Sequence, residues 1–179
     1  MNKLWRHFKT ITYHKWLVAK GCFRIGLYKQ GLLHDLSKYS PSEFLVGIKY
    51  YQGNRSPNNA EREAIGYSSA WLHHKGRNRH HYEYWIDYNE TGGFVPVPMP
   101  DRYIAEMIMD RIAASKVYKG KMYTDASALE YYNQGGSFNV PMHEYTRSVL
   151  ERMLKMLAEE GEEKTFACIR RELVKGLYS

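Results

Sequence analysis

The chain has 179 residues and a mass of 21.1 kDa, enough for one domain with a hydrophobic core that needs no disulfide or structural metal. Hydrophobic residues make up 44% and charged residues 25%, which excludes an intrinsically disordered chain. The sequence shows no apolar run of membrane-spanning length and no signal peptide, and its two cysteines, Cys22 and Cys168, are too few for a disulfide framework. We therefore expect a cytoplasmic protein without a membrane partner.

The net charge of +7 is concentrated in the first third of the chain. Residues 1–60 contain ten Lys or Arg and two acidic residues, whereas the other two thirds are almost neutral. Such an excess forms either a solvated basic face or a surface that attracts anions, namely a small phosphorylated molecule or nucleic acid. The charge alone leaves these alternatives open.

Helix signals dominate the first half of the chain. A helix is predicted to start at Ser40-Pro41, with Ser40 as the cap and Glu43 closing a capping box. After a loop at about 51–59, the stretch from Ala60 to Lys75 predicts one helix that ends at Gly76.

The second half begins with a proline-rich segment, residues 94–98, that predicts an extended loop within about 89–99. Pro100 and Asp101 begin a further predicted helix, which runs to about Tyr118 and is terminated by Lys119-Gly120. Asp125 can cap a short helix through Asn133, and a loop is predicted at about 134–141.

Two apolar stripes of helical period follow, separated by an acidic break at residues 159–163. The stripes are Val149, Leu150, Met153, Leu154 and Leu157, and then Phe166, Ile169, Leu173 and Leu177. Together these signals predict a single compact all-α domain, residues 1–179, of about six to eight helices. Residues of about 10–120 would form its functional part and helices within 142–178 would pack on it, although an amphipathic helix could also pack against a second copy in a homo-oligomer.

Histidines are unusually frequent and unevenly placed. Four of the eight, His73, His74, His80 and His81, lie within nine residues, and His34 directly precedes Asp35. Imidazole nitrogens and carboxylate oxygens are the usual ligands of divalent metals at hydrolytic sites. The two isolated histidines, His7 and His143, are interpreted as structural.

The His34-Asp35 pair is flanked by Leu32, Leu33 and Leu36, which suggests that it points into a buried apolar wall. A buried carboxylate needs a compensating partner, and a metal ion is one such partner.

The order His14, His34-Asp35, Asp110 resembles the HD-domain superfamily of metal-dependent phosphohydrolases. The segment 34–38, His-Asp-Leu-Ser-Lys, looks like that superfamily's "HD-small-small-Lys" stretch, and residues 74–81 resemble the added histidines of members that hold a second metal. No particular subgroup with a known substrate is indicated.

The resemblance implies that His14, His34, Asp35 and Asp110 bind one divalent ion, which could be Mn, Fe, Zn, Mg, Co or Ni. Between them the chain must turn, because a straight helix of twenty residues would separate His14 from His34 by about 30 Å. A second ion would take His74 and one of His80 or His81, with His81 favoured, unless these histidines form only an exposed turn.

The implied activity is hydrolysis of a nucleotide or other small phosphate ester, with Asp35, Lys38 and Glu106 as catalytic candidates. Lys38 would neutralise phosphate charge unless it is a plain surface lysine. Glu106 could accept a proton or orient a histidine, but an ion pair with Arg102 or Arg111 is the expected role.

Substrate contacts are predicted for Lys38, Arg77, Arg79 and Trp85, since guanidinium groups match phosphate oxygens and an indole can stack on a base. Trp85 could equally be part of the core. The basic first third of the chain would form an electropositive rim around the metal site.

Two alternatives to an enzyme stay open. One is a nucleic-acid-binding or regulatory module whose metal is purely structural, and the other is a degenerate HD fold that binds a ligand without hydrolysing it. Kinases, Rossmann enzymes and serine hydrolases are disfavoured, because the sequence lacks their glycine-rich and Gly-x-Ser-x-Gly motifs.

Overall fold

Eight α-helices and one β-hairpin make up the described residues, 2–134 and 141–175, of the computed structural model. The predicted all-α fold is confirmed as a single compact helical domain. The helices are α1 (Lys3–Ile25), α2 (Tyr28–Leu33), α3 (Pro41–Tyr50), α4 (Pro57–Ile65), α5 (Ser69–Lys75), α6 (Asp101–Lys119), α7 (Ser127–Gln134) and α8 (Glu144–Ile169). Short 3-10 turns occur at Leu36–Tyr39, Tyr82–Trp85 and Gly120–Met122, and Arg170–Val174 continues α8 with π-helical geometry.

Three helices, α1, α6 and α8, supply most of the hydrophobic core. Each places a stripe of fully or nearly fully buried residues inside, and burying one such side chain contributes about 1.5–3 kcal/mol. The stripes are Val18, Cys22 and Ile25 from α1, Ile104, Ile108 and Ile112 from α6, and Leu150, Met153, Leu154 and Leu157 from α8. The first predicted C-terminal stripe is therefore confirmed as core.

A glycine in α1 lets α6 approach closely. A Cβ atom added at Gly21 would lie 2.8 Å from the Met109 sulfur, closer than real Cβ contacts allow. Gly21 lies seven residues after His14 on the same face of α1, and Met109 is adjacent to Asp110 in α6, so the close contact lies near both polar residues. This packing brings His14 and Asp110 together.

The predicted helix from Ala60 to Lys75 is wrong in one respect, because it is broken into α4 and α5. Gly66 adopts φ +84° and ends α4, and Ser68 caps α5 by accepting a hydrogen bond from the Trp71 backbone amide. The carboxylate of Glu61 accepts hydrogen bonds from the Ser68 and Ser69 hydroxyls and holds the corner. The predicted end at Gly76 is confirmed.

The proline-rich segment forms part of a hairpin and not only a loop. Strand β1 (Ile86–Asn89) pairs antiparallel with β2 (Gly93–Pro96), and Tyr88 lies opposite Phe94. Proline is tolerated here because a strand in a two-stranded sheet has an unpaired edge.

The acidic break at 159–163 is a kink within α8, where Gly161 adopts φ +80° and ψ 174°. After it, Phe166, Ile169 and Leu173 are buried as the second stripe predicts. Leu177 and almost all of the loop predicted at 134–141 lie outside the described residues.

Both cysteines, Cys22 and Cys168, are buried and unpaired. Among the described helices, none combines the length and apolar character that crossing a membrane requires.

A second glycine, Gly47 of α3, makes room for His7 of α1. The His7 ring lies between Phe44 and Tyr51, and a Cβ at Gly47 would lie 2.2 Å from His7 Nε2. Burial, with a smaller effect of the Lys38 charge, lowers the pKa of His7 to about 4, so the ring is neutral near pH 7. His7 therefore packs α1 against α3, as its structural interpretation predicts.

We expect Gly47→Ala to lower the free energy of unfolding by about 1–2 kcal/mol, since the overpacking exceeds the helix propensity that alanine adds. Denaturant unfolding followed by circular dichroism measures the change. Gly92→Ala is the control, because its new Cβ would meet only Val95 Cγ1, at 3.8 Å. The double variant with His7→Ala should be about as stable as His7→Ala alone, and additive losses would contradict this packing.

Candidate metal centre

Four residues from three segments converge between α1, the end of α2 and α6. His14 Nε2 lies 2.9 Å from Asp110 Oδ1 and 3.7 Å from Asp35 Oδ2. His34 Nε2 lies 3.2 Å from Asp35 Oδ2 and 3.4 Å from Asp110 Oδ1. The structure thus brings together the group that the His, His-Asp, Asp order predicts, and its ligand atoms all lie within 4.8 Å of one another.

Asp35 reaches this centre through a left-handed backbone conformation, with φ +53°, directly after the end of α2. Asp tolerates this region better than most residues, although a non-glycine residue there is strained by about 1–3 kcal/mol. His34 and Asp35 are 2% and 1% exposed, so the predicted burial of the pair is confirmed. The flanking leucines do not form the buried wall that the prediction assumed, because Leu32, Leu33 and Leu36 are all exposed.

A second group of histidines meets the other oxygen of Asp35. His74 lies in the last turn of α5, and His80 and His81 follow in the turn after Gly76. His74 Nε2 and His80 Nε2 lie 3.3 and 3.4 Å from Asp35 Oδ1, and His81 completes a group that could hold a metal ion. Asp35 therefore presents one oxygen to each of two ligand groups. His80, which the sequence favours less than His81, belongs to the second group as well.

Two buried glutamates orient the histidines. Glu106 Oε1 lies 2.9 Å from His34 Nδ1 and 3.2 Å from His80 Nδ1. These three residues also form a third group that could hold a metal ion. Glu43 lies 2.8 Å from Nδ1 of His74. A carboxylate on Nδ1 fixes the ring so that Nε2 faces the centre.

These contacts correct two predictions about the glutamates. Glu106 pairs with His34 and His80, not with Arg102 or Arg111. Glu43 does not form the predicted capping box, because the Glu43 carboxylate also binds Nδ1 of His73, at 2.7 Å. The Ser40 side chain makes no cap hydrogen bond either.

The centre contains an unusual number of buried polar atoms without an aligned hydrogen bond. They are Nε2 of His14, His34, His80 and His81, and both carboxylate oxygens of Asp35. Buried polar atoms normally have a partner, so such a set needs a physical explanation. A cation in each of the two ligand groups would give all of these atoms a partner.

The spacing of these atoms fits a metal ion. Ligands at about 2.0–2.2 Å from a common ion lie about 3.4 Å apart in tetrahedral geometry and about 3.0 Å apart in octahedral geometry. The six His–Asp separations in the two groups, 2.9 to 3.7 Å, span both values, and all ligand atoms of a group lie within 4.8 Å of one another. The mixed nitrogen and oxygen donors suit Zn, Mn, Fe, Co or Ni.

The electrostatics favour the metal-binding charge state at Asp35, Asp110 and His81. At His34, burial would lower the pKa, but Asp35, Asp110 and Glu106 hold it well above its usual range. Burial alone would raise the pKa of Asp35, but His34, Lys38 and His74 hold it well below its usual range. The pKa of Asp110 is likewise well lowered against burial, by His14 and His34. Burial, reinforced by His80 and His74, holds the pKa of His81 well below its usual range, so this imidazole is neutral and able to bind a metal.

The centre forms part of the wall of a cavity of about 840 Å³, which has room for a small-molecule ligand. The ligand residues that line it are His14, His74, His81 and Asp110. Lys38 lines it too, and its Nζ lies 2.5 Å from Asp35 Oδ2. Burial would lower the pKa of Lys38, but the charges of Asp35 and Asp110 raise it, so the lysine stays protonated.

The other predicted substrate residues do not line this cavity. Arg77 and Arg79 are exposed, and Arg79 donates to the Tyr103 hydroxyl at 3.4 Å. Trp85 is half-buried, packs beside Tyr103 and donates its indole N–H to the Arg79 carbonyl. His143 caps α8, in line with its structural interpretation.

The basic residues of the first third lie mostly away from the cavity. Of the ten Lys and Arg in residues 1–60, only Lys38 and Arg55 line it. The expected rim from the first third of the chain is therefore not found, and the other basic residues that line the cavity, Arg62, Arg111 and Lys119, come from later segments.

We expect Asp35→Asn to abolish most divalent-metal binding by both ligand groups. Asn matches Asp in size and tolerates φ above zero, so the loss would report the missing charge and ligand oxygen and not a change of shape. Metal analysis after dialysis, and thermal unfolding with and without EDTA, measure the change. At a metal concentration of a hundred times Kd, the free energy of unfolding of the wild type should rise by about 2.7 kcal/mol. Asp87→Asn, at an exposed hairpin position, is the control. Wild-type metal content in Asp35→Asn would refute the assignment.

Glu106→Gln should weaken metal affinity by about 10- to 100-fold, because it removes the charge that orients His34 and His80. Titration against a chromogenic chelator measures the affinity. Glu130→Gln, which removes an exposed carboxylate paired with Lys119, should leave it unchanged. Equal affinities in the two variants would show that Glu106 does not support the ligands.

Comparison with known proteins yields one match. No curated protein and no solved structure matches the chain. A family model described as "Family of unknown function (DUF5662)" matches residues 3–156, which include every residue of the two ligand groups. The chain belongs to this family of unknown function, DUF5662.

Proposed function

We propose that the protein is a cytosolic, metal-dependent phosphohydrolase that acts on a nucleotide or another small phosphate ester. The observation that carries the proposal is that residues of both ligand groups on Asp35 line the cavity. Structural metal sites are closed by protein ligands, whereas catalytic sites keep a position open to substrate. Here four ligand residues line a space large enough for a nucleotide.

The resemblance to the HD-domain superfamily supports the same function. The residues that it implies, His14, His34, Asp35 and Asp110, lie within ligand distance of one another. Asp35 with His74, His80 and His81 would hold a second ion. When bound, divalent ions would polarise the phosphoryl group and favour ionisation of water.

The protein's own residues would bind and orient the substrate. In the hydrolysis, a water oxygen forms a bond to phosphorus, the bond from phosphorus to the ester oxygen breaks, and the leaving oxygen takes up a proton. Lys38, held in place by Asp35, would neutralise charge on the phosphoryl oxygens. Glu106 would act through His34 and His80 and is therefore a positioning residue.

One observation favours a second function, single-stranded nucleic-acid binding without catalysis. The side chains of Trp5 and Trp16 are exposed on the solvent face of α1. Lys9 Nζ lies 5.5 Å from the centroid of the Trp5 ring, and Lys20 Nζ lies at the same distance from the Trp16 ring. Aromatic platforms interleaved with cations bind single strands by stacking and charge. This stripe is a separate surface from the buried α1 face that carries His14.

The test is phosphate release by the full chain after EDTA treatment and reloading with Mn, Fe, Zn, Mg, Co or Ni. Substrates are a chromogenic phosphomonoester, a phosphodiester and nucleoside mono-, di- and triphosphates. We expect metal-dependent turnover, and Lys38→Met should lower kcat/KM by about 10²-fold while the metal content stays unchanged, because a preorganised charge at the phosphoryl group is lost.

Lys49→Met, at an exposed position outside the cavity, is the matched control. A protein that binds metal but releases phosphate from none of these substrates would contradict the proposal. Salt-dependent binding of a fluorescent single-stranded oligonucleotide, lost in Trp16→Ala, would then support the nucleic-acid function.

A further inference from the structure

The cavity is lined by five basic side chains, and most of them already have a carboxylate partner. Arg55 binds Glu63 at 2.5 Å, Lys119 binds Glu130 at 2.5 Å, and Lys38 binds Asp35. The other two, Arg62 and Arg111, contact no carboxylate within the described part of the chain. No ion pair among the described residues therefore engages these two guanidinium groups.

Arg62 is held beside the second ligand group by an aromatic platform. Its guanidinium carbon lies 5.5 Å from the centroid of the Trp71 ring, and it donates to Asn59 Oδ1 at 2.9 Å. The Trp71 ring in turn lies 4.7 Å from the His81 ring. The distances of 5.5 and 4.7 Å place the guanidinium no more than about 10 Å from that histidine. Stacking on an indole leaves the edge of a guanidinium free to bind an anion.

Arg111 lies directly after the ligand residue Asp110 on α6. Its guanidinium carbon lies 5.5 Å from the Tyr132 ring centroid, and its Nε is buried without a hydrogen-bond acceptor. A buried N–H normally has an acceptor, so this atom lacks a partner that a ligand in the cavity could supply.

We propose that Arg62 and Arg111 bind a second phosphate group of the ligand, so that the ligand is a compound with linked phosphates, such as a pyrophosphate ester, and not a simple phosphomonoester. The inference rests on the proposed function for the role of the first phosphate, which meets the metal centre and Lys38. A single phosphate there leaves the two arginine charges unmatched. A second phosphate supplies oxygen acceptors for both guanidinium groups in the same cavity.

Binding of inorganic phosphate and inorganic pyrophosphate to the EDTA-treated full chain tests the inference. Isothermal titration calorimetry should show pyrophosphate binding at least about tenfold more tightly than phosphate, since one charge-assisted contact is worth a tenfold change or more. Arg62→Gln and Arg111→Gln should each weaken pyrophosphate binding about tenfold and phosphate binding less. Arg62→Lys and Arg111→Lys should keep part of the affinity, which separates a binding role from a folding defect.

Arg77→Gln and Arg79→Gln, outside the cavity, are the controls and should bind pyrophosphate like wild type. Equal affinities of wild type for the two anions, or unchanged pyrophosphate binding in both cavity variants, would overturn the inference. The measurement uses no metal and no turnover, so its failure is distinct from failure of the hydrolysis assay. If the protein hydrolyses monoesters but binds pyrophosphate no more tightly than phosphate, the proposed function holds and the inference about linked phosphates is wrong.

Discussion

The buried carboxylate of Asp35 is the group on which the rest of the site depends. It is 1% exposed, and its two oxygens face different sets of histidines. An ionised carboxylate is stable in a protein interior only when cations or hydrogen-bond donors surround it. The close packing of α1 on α6, the turn after α2 and the turn after α5 all deliver such groups to this one side chain.

The centre is unfavourable for folding in the absence of an ion, because it gathers polar atoms that lack aligned hydrogen bonds. The apolar stripes of α1, α6 and α8 offset this cost, and the carboxylates of Glu43 and Glu106 keep the imidazoles in place. A site that is oriented before its ion arrives loses little entropy on binding it. The strained backbone of Asp35 belongs to the same arrangement, since local strain persists where surrounding contacts enforce it.

Helical periodicity and end signals predicted the all-α class and most helices after residue 40, but no helix was predicted where α1 and α2 lie. The C-terminal apolar stripes, the start of α3 and both ends of α6 agree with the structure, because they depend on neighbours within a few turns. The errors arose where a local signal competed with a distant partner. Glu43 has the spacing of a capping box but binds histidines of α5, and Gly66 divides a stretch whose composition alone reads as one helix.

By itself the sequence determined the residue types of the site: a His-Asp pair, a histidine cluster and a later aspartate, all rich in metal-ligand chemistry. Lys38 lies in the 3-10 turn after α2 and shares no helix with His34, so its position beside Asp35 did not follow from helical spacing. Only the tertiary structure decided that Asp35 faces two ligand groups, that Glu106 serves histidines, and that Arg62 lines the cavity while Arg77 does not. The reason is physical: spacing along one helix is local, whereas distances between α1, α4, α5 and α6 depend on how their side chains pack.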